Sequence, residues 1–570
     1  MAKSTQKKVS GADLPTPAQG FFFEIKAWGL RIARTVKDLL GGITSYGREE
    51  GWDDAVLLGK SSSELWHDKD TAMGLTAGKV HNLRLASARL DGIVVPAGQV
   101  FSFWKQLGRL TERRRFALGR ELREGCIIPT TGGGICQLSN AIYDAASRAG
   151  LEIIERHRHT AVIAGSLAEI DRDATVFWNY IDLRLRAPFA WQLCVKMNAG
   201  SLTVSILSRS GAMAPGGEPK ERRAPDALGD CTQCGRTDCY LHVGDIPLPE
   251  RKTWLVTGEE FPEFQAWRMQ SISANDKTIS CTDQTFRARW MNFGSRAWRR
   301  YHLYRRHPLP IAQYSRFERA ARFLASKLDE SDTYLIIPQD LLPWLQMFGE
   351  LRGRRYEVLM NALPISEIER RLDQAIAQHP DILPLTNYRA AVSFTRAEQE
   401  ALAGACKLIS PHEEILRTAG IRGQRLPWIL PSPSESAAKA ANLEEELRIM
   451  LAAPSLARKG VYSLREALQE LPFRTRLIAL PGKPEAPNIW KGLEVDYALS
   501  MADGIAMADI VVLPAWIEHQ PRGLLLAIAL GKPVIATPEC GLPAEMPWIS
   551  VAAGDIAGLR QAIIVAQERL

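Results

Sequence analysis

The second half of the sequence holds the strongest constraint on the fold, because short apolar runs alternate there with stretches of helical periodicity. TWLVTGE, DTYLIIP, RRYEVLM and ACKLISP are interleaved with helical segments such as SEIERRLDQAIAQH. After the polar passage SPSESAAKAANLEEE a second series follows, RIMLAAP, TRLIALPG, ADIVVLP and KPVIAT, with YSLREALQEL and RGLLLAIALG between its strands. Strands that alternate with helices are joined by crossovers and therefore lie parallel. The expectation is an α/β class with two doubly wound, Rossmann-like domains, at residues 253–435 and 436–570.

A chain of 570 residues exceeds what one core serves, and at ~150 residues per domain it should hold about three or four. A hydrophobic fraction of 46% and a charged fraction of 24% exclude wholesale disorder and fibrous repeats. Lys and Arg exceed Asp and Glu by 71 minus 64, a net +7. Over this length the bias suits a phosphate-bearing ligand or an anionic surface, and no nucleic-acid partner is expected. No run of about 18 uncharged apolar residues occurs, so no spanning helix is expected. The leader MAKSTQKKVSGADLPTPAQG also lacks the apolar core of a secretory signal. The expected location is the cytoplasm, where the nine cysteines would be reduced thiols.

Residues 1–50 comprise that leader and FFFEIKAWGLRIARTVKDLL, where Ile25, Trp28, Ile32, Val36 and Leu39 recur at helical spacing and Lys26, Arg31, Arg34 and Lys37 charge the other faces. Such a basic amphipathic helix is expected to dock on its own protein. The alternative is peripheral contact of residues 21–40 with an anionic membrane at the inner face of the plasma membrane. Residues 51–210 read as a mixed α+β domain. In 211–252 the composition turns to Gly, Pro and charge, and CTQCGRTDCYLH spaces Cys231, Cys234, Cys239 and His242 as C-x2-C-x4-C-x2-H. Three thiolates and an imidazole this close suit tetrahedral zinc. In a segment too short to bury a core the metal would supply the folding energy, so a structural zinc is expected.

PTTGGGICQLSNAIYDAASRAG places Gly132, Gly133 and Gly134 just ahead of Cys136, at which a helix is expected to begin. Unsatisfied N–H groups and the helix dipole favour a thiolate there, and glycines would let backbone donors approach a substrate, with Gln137 alongside. In LEIIERHRHT, read as a strand, His157 and His159 are two residues apart and should share a face, so either could serve as the base. Asp171, Asp173 and Asp182 are candidates to orient it. The same turn would equally hold a phosphate or carboxylate without covalent chemistry, and both readings stay open.

From about Val80 to Leu185 the motifs HNLRLASARLDG, GQVFSFW, GGGICQLSNAIY, ERHRHT and DATVFWNYIDLRL follow in an order that resembles the VanW family. The resemblance marks Cys136, Gln137, His157, His159, Asp173 and Asp182, and implies an association with the cell envelope. In the C-terminal half ARKGVYSLREALQELP, ADIVVLPAWIEHQPRGLLLAIALGKPVIATPECGLP and VAAGDIAGLRQAI resemble the donor-binding domain of GT-B glycosyltransferases that use nucleotide sugars. By that resemblance Lys459 would neutralise the donor phosphates, helped by Arg458 and Arg522, and Glu518 would be the first acid of a two-glutamate motif. The chain departs from the pattern at Leu526, where the second, ribose-contacting glutamate would fall, and at Pro454, where a phosphate-binding arginine would. The combined expectation is transfer of a sugar from a nucleotide donor in envelope or surface-polysaccharide metabolism. One alternative is a Cys136-dependent hydrolase or transferase on a cell-wall precursor, with the GT-B half as scaffold. The other is a protein that binds an envelope precursor.

Overall fold

Leu138, Ala141, Ile142 and Ala145 recur at the spacing of one helical face, and all four are buried in the core of the N-terminal part of the protein. The computed structural model describes residues 17–66, 72–123, 126–159, 166–209, 229–230, 246–258, 260–281, 309–387, 389–432, 446–482, 485 and 489–570. The chain divides into two units. Unit 1 is Met1–Arg251 with Leu328–Thr333 and Phe348–Arg355, and unit 2 is the remainder.

In chain order unit 1 contains α1 (Pro17–Leu40), β1 (Val56–Glu64), α2 (Met73–Leu90), β2 (Ile93–Val95), β3 (Val100–Ser102), α3 (Phe103–Leu107), β4 (Leu118–Arg123), β5 (Cys126–Thr131), α4 (Cys136–Arg148), β6 (Glu152–Glu155), β7 (Arg184–Arg186), β8 (Trp191–Met197), β9 (Ser201–Ser208) and β10 (Gly229–Asp230). Among the described residues these strands form three small sheets, β1-β9-β8-β2, β10-β5-β4 and β3-β7-β6. In β9 the residues Leu202, Val204 and Ile206 are buried and alternate with half-exposed neighbours, the period of a sheet covered on one face. They meet Trp191, Leu193 and Val195 of β8 and the apolar face of α4 in one core.

The long N-terminal helix docks in a way its periodicity did not suggest. Ala27 and Asp38 are buried, Arg31 donates to the Trp178 carbonyl at 3.2 Å, Arg34 makes a two-pronged pair with Glu155 at 2.6 Å on each arm, and Asp38 meets Arg184 at 2.6 Å. Phe21, Ile25, Trp28, Ile32, Val36 and Leu39 are exposed, between 46% and 80%. The charged stripe therefore faces the protein and the apolar stripe faces away from it.

Unit 2 carries two six-stranded parallel sheets. The first contains β11 (Thr253–Val256), β12 (Lys277–Ser280), β13 (Tyr334–Pro338), β14 (Arg355–Leu359), β15 (Lys407–Ser410) and β16 (Gly423–Arg425), in the order β12-β11-β13-β14-β15-β16. The second contains β17 (Leu447–Leu451), β18 (Thr475–Ala479), β19 (Glu494–Tyr497), β20 (Ile510–Leu513), β21 (Val534–Ala536) and β22 (Ile549–Ser550), in the order β19-β18-β17-β20-β21-β22. Numbered within its own sheet, that second order is 3-2-1-4-5-6, with a reversal between β17 and β20. All four residues of β20 are buried, as expected of a parallel strand covered on both faces. In the first sheet the reversal falls between β11 and β13. The expected zinc ligands Cys231, Cys234, Cys239 and His242 lie outside the described residues.

Candidate functional site

Two side-chain constellations stand out, one in each unit. In unit 1, Cys136 is the first residue of α4, and among the described residues the N–H groups of Ile135 and Cys136 meet no acceptor. The same helix places the acid of the site. One turn further on, Ser139 donates to the Ala174 carbonyl at 2.6 Å and Asn140 accepts from the Ala174 N–H at 2.8 Å, so both polar groups of Ala174 are pinned to α4. Asp173, immediately before it, is fully buried. Its Oδ2 takes hydrogen bonds from the His159 N–H and from His159 Nδ1, both at 2.7 Å. Arg156 completes the support by donating to the Asp173 carbonyl at 2.7 Å and to its Oδ1 at 3.1 Å. His159 in turn is hydrogen-bonded to the Cys136 side chain. Nδ1 is committed to Asp173, which leaves Nε2 for the thiol.

The electrostatics follow this geometry. Burial opposes ionisation of the Cys136 thiol, yet the hydrogen bond and charge of His159 bring it below the ordinary thiol value. Burial alone would lower His159, but its bonds to Asp173 and Cys136 prevail and raise it to about 10. Asp173, although buried, is lowered to about 2 by the same histidine. The shifts favour an imidazolium at His159 held by the Asp173 carboxylate, and move Cys136 in the direction of the thiolate. Burial pushes Cys194 and Cys281 up to about 11 and Cys540 up to about 12, so Cys136 is set apart from these three thiols. Glu121 acts on the Cys136 thiol in the opposite sense to His159, and sequence spacing gave no reason to choose it.

Several expectations are corrected here. The strand expected through LEIIERHRHT ends at Glu155, so His157 and His159 do not share a strand face. His157 is exposed and pairs with Glu155 at 3.2 Å, away from the thiol. Asp171 holds Arg156 and Arg158, at 2.8 and 2.9 Å. Asp182 is not part of the cluster either. It accepts from Ser102 Oγ at 2.6 Å, from the Trp104 N–H at 3.2 Å and from Arg184 at 2.9 Å, fastening the start of α3 to β7. Gln137 donates to Ser63 Oγ and the Glu64 carbonyl at the end of β1. The glycines serve packing rather than an open backbone: Gly132 and Gly133 are buried. A Cβ on Gly133 would lie 2.3 Å from the Gly119 carbonyl oxygen of β4, and one on Gly134, whose φ is +91°, would lie 2.1 Å from Lys79 Cγ of α2.

In unit 2 a cleft of about 470 Å³ opens where strands of both sheets end. Phe261 follows β11, Asp340 follows β13 and Asn361 follows β14 on one side; Arg458 and Lys459 follow β17, and Glu518 and His519 follow β20, on the other. Of these, β11 and β13, and β17 and β20, are the strand pairs between which the order of each sheet reverses. Lys459 is buried, and its Nζ donates to Glu518 Oε2 and to the Ile517 carbonyl, both at 2.9 Å. Gly460 lets it sit there. With φ +75°, a Cβ at that position would fall 1.8 Å from the Pro514 carbonyl oxygen, so the β17 turn closes on the β20 turn only with glycine.

Two histidines missed in the sequence flank this pair. Burial holds His412 near 4, and its Nε2 meets the Glu518 carbonyl at 2.7 Å. Burial, then His412 and Lys459, hold His519 well below the usual histidine range; its Nε2 accepts from the Leu363 N–H at 3.3 Å, leaving Nδ1 to carry the ring proton. Asn361 donates to Asp340 at 2.8 Å while its buried Oδ1 has no partner among the described residues. Only position after a strand could have pointed to these groups. Arg522, expected on the donor phosphates, instead pairs through both arms with the fully buried Glu263, at 2.5 and 2.8 Å. Leu526, on the helix Arg522–Ala529, offers no acceptor. Among the described residues no group of three or more His, Cys, Asp or Glu could hold a metal ion.

Residues 78–207 match the family model described as VanW like protein. The chain is 30% identical over 154 residues to the uncharacterized protein YoaR of Bacillus subtilis, covering 25% of this chain and 50% of that one. It is 29% identical over 126 residues to the vancomycin B-type resistance protein VanW of Enterococcus faecalis, covering 21% and 45%. The chain thus spans about half the length of the curated relatives it matches. Its structure is similar to that of a sucrose-phosphate synthase from Thermosynechococcus elongatus, at 14% identity and a TM-score of 0.37, over 56% of this chain and 90% of that one. Residues 78–207 are a VanW-like domain, joined in one chain to a pair of doubly wound sheets.

Proposed function

We propose that unit 2 binds a nucleotide-diphosphate sugar in the cleft at its strand ends and transfers the sugar to an envelope or surface-polysaccharide acceptor at a membrane. The observation that carries this reading is the meeting of Lys459 and Glu518 at 2.9 Å on the two adjacent strands where the sheet order reverses. Open α/β sheets bind ligands at this position, and a lysine there can neutralise a leaving diphosphate while an acid orients the sugar or acceptor. The Lys459 pair with Glu518 keeps a buried ammonium compensated before a ligand arrives. Since Leu526 cannot contact a ribose, Asn361 Oδ1 on one side of the cleft and the ring proton of His519 on the other are the groups left to meet hydroxyls. The helix α1 supports the membrane side of the reading, because its exposed apolar stripe is flanked by exposed Lys26 and Lys37.

Isothermal titration with UDP, GDP, ADP and dTDP, followed by a panel of their sugars, tests the donor site. One of these should bind, and Lys459→Ala should weaken it about tenfold or more, the loss of one charge-assisted contact to phosphate. Failure of every nucleotide to bind, or binding indifferent to Lys459→Ala, sinks the reading.

A further inference from the structure

Independently of unit 2, we propose that Cys136, His159 and Asp173 form a catalytic triad that transfers the acyl group of an amide or ester through a thioester on Cys136. Three observations carry it. His159 Nδ1 is held at 2.7 Å by a carboxylate that is itself fully buried and supported by Arg156. The same histidine is hydrogen-bonded to the side chain of Cys136, a residue that is only partly buried. The thiol begins a 13-residue helix whose Ile135 and Cys136 N–H groups have no acceptor among the described residues, so donors stand ready for an oxyanion beside the nucleophile. A buried structural cysteine would require none of these.

The reaction balances with water or an amine as the only co-substrate. Sγ attacks the carbonyl carbon, the S–C bond forms, and the C–N or C–O bond breaks as imidazolium His159 gives its Nε2 proton to the leaving amine or alcohol. Neutral His159 then takes a proton from water, which attacks the thioester; the S–C bond breaks, a carboxylic acid leaves and the thiolate–imidazolium pair returns. An amine in place of water gives transfer instead of hydrolysis. Asp173 is a positioning residue that fixes the tautomer and holds the ring.

Carboxamidomethylation by iodoacetamide, mapped by peptide mass, and acetylation by 4-nitrophenyl acetate, followed by intact mass, test the proposal on the full chain. At about pH 6 Cys136 should react at least about tenfold faster than the exposed Cys406, because its hydrogen bond to His159 favours the thiolate. A single acetyl group should appear on Cys136 and be lost on standing. Cys136→Ser should abolish the adduct, and His159→Gln should remove the rate advantage. Asp173→Asn, folded by circular dichroism, should move the rise of the alkylation rate to higher pH. Equal rates at Cys136 and Cys406, an acetyl group carried elsewhere, or an Asp173→Asn profile that superimposes on the parent overturns it.

Discussion

At the scale of single residues, the thiol, the imidazole and the carboxylate of unit 1 titrate as one group. His159 is raised from 6.5 to about 10 in the fold, so its protonated form stabilises the native state fully below about pH 6.5, and that contribution is lost as pH rises towards 10. Asp173 is lowered from 3.8 to about 2, so its contribution is present above about pH 3.8 and disappears as pH falls towards 2. Both are complete only between those limits. Thermal unfolding of the parent and of His159→Gln should therefore differ most between about pH 4 and 6.5, with the two melting curves converging by about pH 10. A difference constant across that range would mean that His159 acts through packing alone. Cys136 and His159 were legible in the sequence, as a cysteine after a glycine turn and a histidine on the segment that follows. The choice of His159 over His157 was not, because it depends on the backbone leaving the strand at Glu155 and on Arg156 turning towards Asp171 and Asp173.

At the scale of elements, α1 shows why periodicity identifies a helix but not the face it buries. Ala27, Arg31, Arg34 and Asp38 form a stripe whose partners, Trp178, Glu155 and Arg184, lie 121 to 147 residues away in the chain. No local pattern reveals that these charges are answered. Once they are, the apolar stripe of Ile25, Trp28, Ile32, Val36 and Leu39 is left facing outwards. A helix with an unburied apolar stripe and lysines at its flank fits a lipid interface, with its axis in the membrane plane; no described helix is long and apolar enough to cross one. The full chain should co-sediment with vesicles containing anionic phosphatidylglycerol and bind less at high salt. Trp28→Glu with Ile32→Glu should abolish that binding with little change in melting temperature, since both residues are exposed. Retention of vesicle binding by the double variant, or binding equal on neutral phosphatidylcholine, would assign the stripe to another partner.

At the scale of the whole molecule, the alternation of strands and helices made the two parallel sheets of unit 2 legible, because crossovers follow from local chemistry and chain connectivity. The sequence motifs also named Lys459 and Glu518, which the reversal of strand order then brings together. The partner of Arg522 was hidden. Its motif position suggested phosphate, whereas Glu263, 259 residues earlier on the helix Pro262–Ser271, claims both of its arms. Arg522 also lies 5.3 Å from the Trp428 ring centre and 5.8 Å from that of Phe261. It therefore joins the helix before β21 to the helix after β11, and the two sheets of unit 2 depend on it. Removing one partner of a buried pair leaves the other charge uncompensated, at a cost of about 3 kcal/mol or more. Arg522→Ala should accordingly lower the urea midpoint of unfolding strongly, yet leave nucleotide affinity within about twofold of the parent in folded protein, the reverse of Lys459→Ala. Combining Arg522→Met with Glu263→Gln should recover much of the lost stability, because it removes both charges while keeping the shape. If Arg522→Ala instead lost nucleotide binding at unchanged stability, the arginine would serve the nucleotide rather than Glu263, and the motif would have read its role correctly.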